Sequence, residues 1–231
     1  MYDNVFISTK SVIKDLKKHI DTEGVKYKTG RVNGKETNLY CHEVTGLSFT
    51  VHDFDDIRDT LLLNGLNPLF AEKDFLDRVG PPTNPGKAIA FDTTGVLKGS
   101  LDKHGRLSYT YSERLFYQLP IVIAALRNDP HTRQAFLSVF DPQLDSIELE
   151  NGYGRIPCSI GYHFLYRKEK LRMVYTMRSL NILDCLGYDM YTSAALLAWV
   201  ARQVDMAPGP ITFNVGSAHY FSKEEPNVKL A

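Results

Sequence analysis

The chain has 231 residues, 27 basic and 27 acidic side chains, 43% hydrophobic residues and 23% charged ones. That length can bury a sizeable core, and the apolar and charged fractions exclude wholesale disorder. A formal net charge of +0 argues against a surface built to grip a nucleic-acid backbone.

Met1 to Ser8 lacks the basic start and apolar run of a secretory signal, and no stretch approaches the ~20 apolar residues of a membrane span. A cytoplasmic protein with neither membrane nor nucleic-acid partner is the expectation. Cys41, Cys158 and Cys185 fit neither a disulfide framework nor a metal-ligand spacing, so no metal is expected. Ser11 to Ile20 reads as an amphipathic helix with a basic face, and Lys26 to Glu36 as a charged loop or hairpin. Leu47 to His52 alternates apolar and polar residues, the pattern of a half-buried strand. Asp55 to Leu63 and Pro68 to Leu76 read as helices, the second started by Asn67-Pro68. Gly80 to Gly86 carries three prolines and two glycines, and is a linker or an internal loop. Glu113 to Arg127 has helical spacing and ends at Asn128-Asp129-Pro130.

Beyond that the chain turns to β-type runs at Ala135 to Phe140, Ser159 to Tyr166 and Leu171 to Met177. Tyr191 to Val204 follows as a buried helix and Ile211 to Val215 as a further strand. Helices and strands mix without strict alternation, which predicts one α+β domain over residues 1–231 around a large sheet.

Four positions could carry chemistry. Cys158, in Pro157-Cys158-Ser159, is either a small buried hydrophobe or a thiolate nucleophile needing nearby positive charge. Arg178-Ser179 closes an apolar strand, where an arginine reaches solvent or captures a phosphate. Asp189 precedes the helical run and would serve there as a cap. His219, in Gly216-Ser217-Ala218-His219, is either a core histidine or part of a site, and Gly216 would let a ligand approach the backbone.

Taken in order, these residues resemble the thymidylate synthase family, and within it the cytidylate (CMP and dCMP) 5-hydroxymethylases. The resemblance runs from about Tyr111 to Phe221. Pro157-Cys158 is similar to the family's nucleophile, Arg178-Ser179 to its phosphate-binding pair, and Gly216-Ser217-Ala218-His219 to its base- and sugar-contacting segment. Asp189 falls where thymidylate synthases carry the asparagine that reads the pyrimidine edge. Arg133 falls where an arginine is lent to the partner subunit's phosphate site. Tyr111 to Arg114, Asn67 to Ala71 and Lys28 to Arg31 resemble the family's Tyr-Gly segment, the helix bearing its catalytic glutamate and its arginine loop.

The resemblance implies an α+β fold with a large mixed sheet flanked by helices, pairing sheet to sheet as a homodimer. It implies Cys158, Asp74 and Asp189 as catalytic residues. Arg31, Tyr111, Arg133, His163, Arg178, Ser179, Asn181, Asp189, Ser217 and His219 become the substrate-binding set. It implies nucleotide and 5,10-methylenetetrahydrofolate as ligands. Cys158 would add to C6 of the pyrimidine, and C5 would take the one-carbon unit; hydride then gives a methyl product and water a hydroxymethyl product. An aspartate at 189 suits the amino group of cytosine, so a cytidine monophosphate is the expected substrate. The alternatives are thymidylate-type methylation of a uridylate and a binding protein without turnover. Departures from the family pattern are His163 for a glutamine, Asn181 for the pterin-contacting aspartate, Asp74 for glutamate, Gln134 for an arginine and Phe221 for a tyrosine.

Overall fold

The computed structural model describes residues 5–32, 35–82, 86–88, 90, 94, 101, 103–150 and 156–223. The strands are β1 (Val5–Phe6), β2 (Val25–Lys28), β3 (Arg31–Val32), β4 (Lys35–Glu36), β5 (Tyr40–Val51), β6 (Phe136–Ser138), β7 (Ser159–Arg167), β8 (Lys170–Asn181) and β9 (Ala207–Ser222). The helices are α1 (Val12–Glu23), α2 (Ile57–Leu63), α3 (Pro68–Val79), α4 (Tyr111–Leu115), α5 (Leu119–Asn128), α6 (Pro142–Glu150) and α7 (Leu186–Gln203). A mixed sheet runs β1-β5-β9-β8-β7-β6, with β2 also on β5, and β3 pairs with β4 as a small hairpin. Strands β8 and β9 are parallel, joined through α7; β5 with β9, β8 with β7 and β7 with β6 are antiparallel. Helices flank this mixed sheet, as expected of the α+β class.

Local chemistry explains where elements start and stop. Asn67 caps α3 by accepting the Leu69 N–H at 3.0 Å, and Pro68 fills the first helical position, where no N–H is needed. The helix continues to Val79, beyond the predicted end, and so adds Arg78 one turn after Asp74. The single helix expected over Glu113 to Arg127 is two. Pro120 has no N–H for the Phe116 carbonyl, so a new helix starts at Leu119, while Thr110 and Glu113 close a reciprocal capping box on α4. Helix α6 was not expected from its pattern. Its Leu144 and Ile147 are exposed, and it is held by Arg114, whose Nη2 lies 2.7 Å from the buried Asp145. Helix α7 begins at Leu186, not Tyr191, which places Asp189 inside the first turn and not at the cap.

Strands β5 and β9 are much longer than their apolar cores predicted, 12 and 16 residues. Alternate positions explain why. Phe213 and Val215 on β9, Tyr175 and Met177 on β8, and Phe49 and Leu47 on β5 are buried in the main core. Further along, the same alternation gives Ser217 and His219, Ser179 and Asn181, and Glu43, and these polar side chains line a cavity. The change falls at two glycines. A Cβ on Gly216 would lie 2.8 Å from the Arg178 carbonyl oxygen, and Gly46 on β5 has φ of +69°. Gly216 thus answers to the neighbouring strand.

Candidate active site

The cavity has a volume of about 740 Å³, within the range of sites that enclose small ligands. Nine of the residues singled out in the sequence line it: Asp74, Tyr111, Cys158, Arg178, Ser179, Asn181, Asp189, Ser217 and His219. Two do not: Arg133 is exposed, and its carbonyl meets His163 Nε2 at 3.0 Å, outside the cavity. The side chain of Arg31 lies outside the described residues.

Antiparallel pairing of Ser159 with Met177 sets Cys158 beside Arg178. The Arg178 guanidinium donates to the carbonyl oxygens of Pro157 (Nε, 2.8 Å) and Ile156 (Nη2, 3.1 Å), and Nη2 is 3.9 Å from Cys158 Sγ. The backbone N–H of Arg178 also donates to the Cys158 carbonyl at 2.8 Å. One arginine therefore fixes the turn that presents the thiol and supplies a positive charge beside it. A neighbouring cation favours the thiolate, the nucleophilic form of a cysteine.

Behind this pair lies a buried polar network. Arg78, 3% exposed, donates to Asp74 Oδ2 from Nε at 3.1 Å and Nη2 at 2.9 Å, and to Tyr162 Oη from Nη1 at 2.6 Å. Its guanidinium sits 3.8 Å from the centre of the Tyr111 ring and 3.9 Å from Asp189 Oδ1. Asp189 accepts from Tyr175 Oη at 3.2 Å, Tyr175 is linked to Ser159 Oγ at 2.5 Å, and Ser159 to Tyr111 Oη at 2.7 Å. Burial raises the pKa of Asp189 to about 6, with Asp74 pushing the same way and Arg78 opposing. Burial likewise raises Tyr111, Tyr162 and Tyr175, which stay protonated as hydrogen-bond donors.

The Asn181 amide is committed locally. Nδ2 donates to Asp184 at 2.7 Å, and Oδ1 accepts the N–H groups of Leu183 and Asp184 at 3.2 Å, closing the turn into α7. Asp184 thereby joins the cavity wall. At the other end, Ser217 Oγ donates to Glu43 and lies 3.4 Å from His219 Nδ1. His219 is held below the ordinary histidine pKa, first by burial, so its ring is neutral near pH 7.

Arg78, Tyr162, Tyr175, Glu43 and Asp184 were not foreseen. The i,i+4 spacing of Asp74 and Arg78 is a legible signal once α3 is carried one turn further. Tyr162 and Tyr175 read as ordinary strand aromatics, and nothing local marks Glu43. Cys41 and Cys185 line the same cavity as Cys158. Among the described residues no helix is long and apolar enough to cross a membrane.

Comparison with known proteins bears on the family and the fold. A family model described as thymidylate synthase matches residues 90–231. Proteins named "Putative thymidylate synthase" from Methanococcoides burtonii and Methanosarcina mazei are each 30% identical over 122 residues, covering 50% of this chain and 54% of theirs. A third, from Methanocaldococcus jannaschii, is 26% identical over 141 residues, covering 58% of this chain and 64% of its own. The chain thus spans little more than half the length of the first two. The thermostable thymidylate synthase A of Bacillus subtilis superposes with a TM-score of 0.68 at 14% identity, covering 93% of this chain and 80% of that one, a likeness of fold. On the family match, which takes in more than half of its residues, the chain belongs to the thymidylate synthase family.

Proposed function

We propose that the cavity transfers a one-carbon unit to C5 of a cytidine monophosphate, giving the 5-hydroxymethyl nucleotide. The observation that carries this reading is the placement of a buried carboxyl, Asp189, in one cavity with a cysteine braced by an arginine. In this reading the Cys158 thiolate forms a bond to C6. The C5–C6 π pair shifts to C4–C5, and the C4–N3 π pair becomes a lone pair on N3. N3 then needs a proton. Asp189, with a pKa raised to about 6, holds one more tightly than an ordinary aspartate and delivers it there, while its other oxygen accepts from the 4-amino group. The electron-rich C5 would attack the one-carbon unit and lose its own proton; the bond from that carbon to the carrier nitrogen then breaks, the carrier leaving as the amine and an exocyclic methylene remaining on C5. Water adds to the methylene, the C5–C6 double bond re-forms as the C6–S bond breaks, and N3 returns its proton to Asp189. Arg178 and Ser179 take the 5′-phosphate, which fixes the approach of C6 to the sulfur.

Methylenetetrahydrofolate would supply the one-carbon unit at the oxidation level of formaldehyde. The cavity suits such a ligand chemically. Phe70, Tyr109 and Tyr188 offer flat apolar surface, and Asp184, held by Asn181, offers a carboxylate on the wall where the family places an aspartate three residues earlier. A homodimer belongs to the same reading. The sheet surface carrying Ser48 against Asn214 (2.8 Å) and Thr50 against Thr212 (2.8 Å) would face the partner, with Arg133 reaching the partner's phosphate site.

A second reading is thymidylate-type methylation of a uridylate. A neutral Asp189 also matches uracil, donating to O4 and accepting from N3–H. The test is a panel of CMP, dCMP, UMP and dUMP with methylenetetrahydrofolate, followed by mass analysis of the nucleotide and assay of dihydrofolate. A cytidylate gaining CH2O without dihydrofolate is the expected result. A uridylate gaining CH2 with stoichiometric dihydrofolate establishes the second reading. Release of no tritium from any 5-tritiated substrate establishes a binding protein without turnover.

A further inference from the structure

Two acceptors meet where a nucleotide sugar would lie. Asn181, His219 and Glu43 stand in register on β8, β9 and β5, so their backbones follow one another at strand spacing, about 4.8 Å, across the cavity floor. Ser179 and Ser217 form the preceding row, beside Arg178. A ligand with its phosphate on Arg178 and its base edge on Asp189 places its sugar between them, over Ser217 and His219. Glu43 is the next polar side chain beyond, and it lines the cavity.

Hydrogen-bond bookkeeping fixes what this end can receive. A serine hydroxyl has one proton, and Ser217 gives it to Glu43 Oε1. Its oxygen can then only accept from His219, which puts the imidazole proton on Nδ1 and leaves Nε2 as an acceptor. Glu43 has about four lone-pair sites, of which Ser217 takes one. The wall therefore presents acceptors on Glu43 and His219, and no side-chain donor from that pair. Phe221, next on β9 and also in the cavity wall, has no hydroxyl to add. A pair of hydroxyl donors complements this arrangement; a single hydroxyl leaves one acceptor facing carbon.

We infer that Glu43 is a specificity-determining residue that accepts from the 2′-hydroxyl of the substrate sugar, so that the site takes ribonucleotides in preference to 2′-deoxyribonucleotides. This rests on the pyrimidine nucleotide reading of the cavity but not on the identity of the base. A carboxylate acceptor left unmatched in a partly buried site costs roughly ten- to a hundredfold in affinity.

Titration calorimetry with CMP, dCMP, UMP and dUMP tests it on the wild type, on Glu43→Gln and on Ser217→Ala. The wild type should bind the ribo member of whichever pair it accepts at least tenfold more tightly. Glu43→Gln should bring the two within about threefold by weakening the ribonucleotide alone. Ser217→Ala frees Glu43 and the imidazole proton, and should change the ribo preference while the phosphate site stays intact. Equal wild-type affinity within a pair overturns the inference and leaves the nucleotide reading standing. So does a preference that survives Glu43→Gln. Failure of all four nucleotides to bind overturns both together.

Discussion

Arg78 Nη2 lies 3.9 Å from Asp189 Oδ1 while the same guanidinium holds Asp74 through two hydrogen bonds. One buried cation is thus shared by two carboxylates from different helices. Bringing an aspartate out of water raises its pKa, and a nearby guanidinium lowers it. The balance at Asp189 falls near 6 because Arg78 already spends most of its hydrogen bonds on Asp74 and Tyr162. Two carboxylates with one short-range cation between them are what leaves Asp189 able to hold a proton close to neutrality.

Stability should therefore depend on pH through Asp189. Its pKa is raised on folding, so the native protein binds this proton more tightly than the unfolded chain. That contribution is complete below the ordinary aspartate value and is lost as pH climbs through about 6, at a cost of about 3 kcal/mol at pH 8. Asp189→Asn removes the titration and should be the more stable protein at pH 8, with the advantage disappearing near pH 4. Urea unfolding of both proteins at pH 4, 6 and 8 measures it. A constant difference across that range would show that Asp189 is not the titrating group. The same variant should shift base preference from cytidylate toward uridylate.

Removing the cation should be worse than removing either anion. Arg78→Met leaves two buried carboxylates without compensation and should cost about 3–5 kcal/mol. It should also raise the pKa of Asp189 further, moving the alkaline limb of the tritium-release profile, where this general acid loses its proton, to higher pH. Adding Asp74→Asn to Arg78→Met should recover part of the lost stability, because one uncompensated charge goes with it. Denaturant melts of the two variants decide this. If the double variant is no more stable than the single one, Asp74 and Arg78 are not energetically coupled.

Much of this was legible in the chain, and the rest was hidden for identifiable reasons. Asn67-Pro68 marks the start of α3 because cap and proline chemistry are local. The apolar cores of β7 and β8 show in their residue types. Residues acting through local motifs, Pro157-Cys158 and Arg178-Ser179, could be singled out and are brought together by strand pairing. Arg78 escaped because the helix was ended at Leu76, one turn too early. Glu43 escaped because its meaning depends on His219 and Ser217, brought opposite it only by the pairing of β5 with β9. His163 and Arg133 carry roles read from the resemblance alone, and they lie together outside the cavity.

The thiol and the arginine that braces it should separate in experiment. Cys158→Ala removes the nucleophile but leaves the Arg178 contacts to Pro157 and Ile156, so nucleotide affinity should change by less than about threefold while tritium release from C5 falls by on the order of 10³ or more. Arg178→Lys keeps a charge but loses the planar fork that reaches both carbonyls. It should weaken nucleotide binding by about ten- to a hundredfold and lower turnover as well, because the turn presenting Cys158 loosens. Calorimetry beside the tritium assay reads both. An Arg178→Lys protein with normal affinity would remove the phosphate from this arginine.

Gly216 gives the sharpest test of how the sheet builds the site. A methyl group there would press on the Arg178 carbonyl oxygen at 2.8 Å, a backbone contact that no rotamer change relieves. Gly216→Ala should thus force β8 and β9 apart where Arg178 is set, destabilising the fold by about 1–3 kcal/mol and weakening nucleotide binding in proportion to the displaced guanidinium. Gly30→Ala is the control, since nothing lies within 4 Å of a Cβ at that position and its backbone needs no left-handed conformation. Thermal unfolding and nucleotide titration of the two variants should diverge, Gly30→Ala matching the wild type within about 0.5 kcal/mol. A Gly216→Ala protein with wild-type stability and affinity would mean that β8 and β9 accommodate the methyl group without moving Arg178, which is then positioned by its contacts to Pro157 and Ile156 alone.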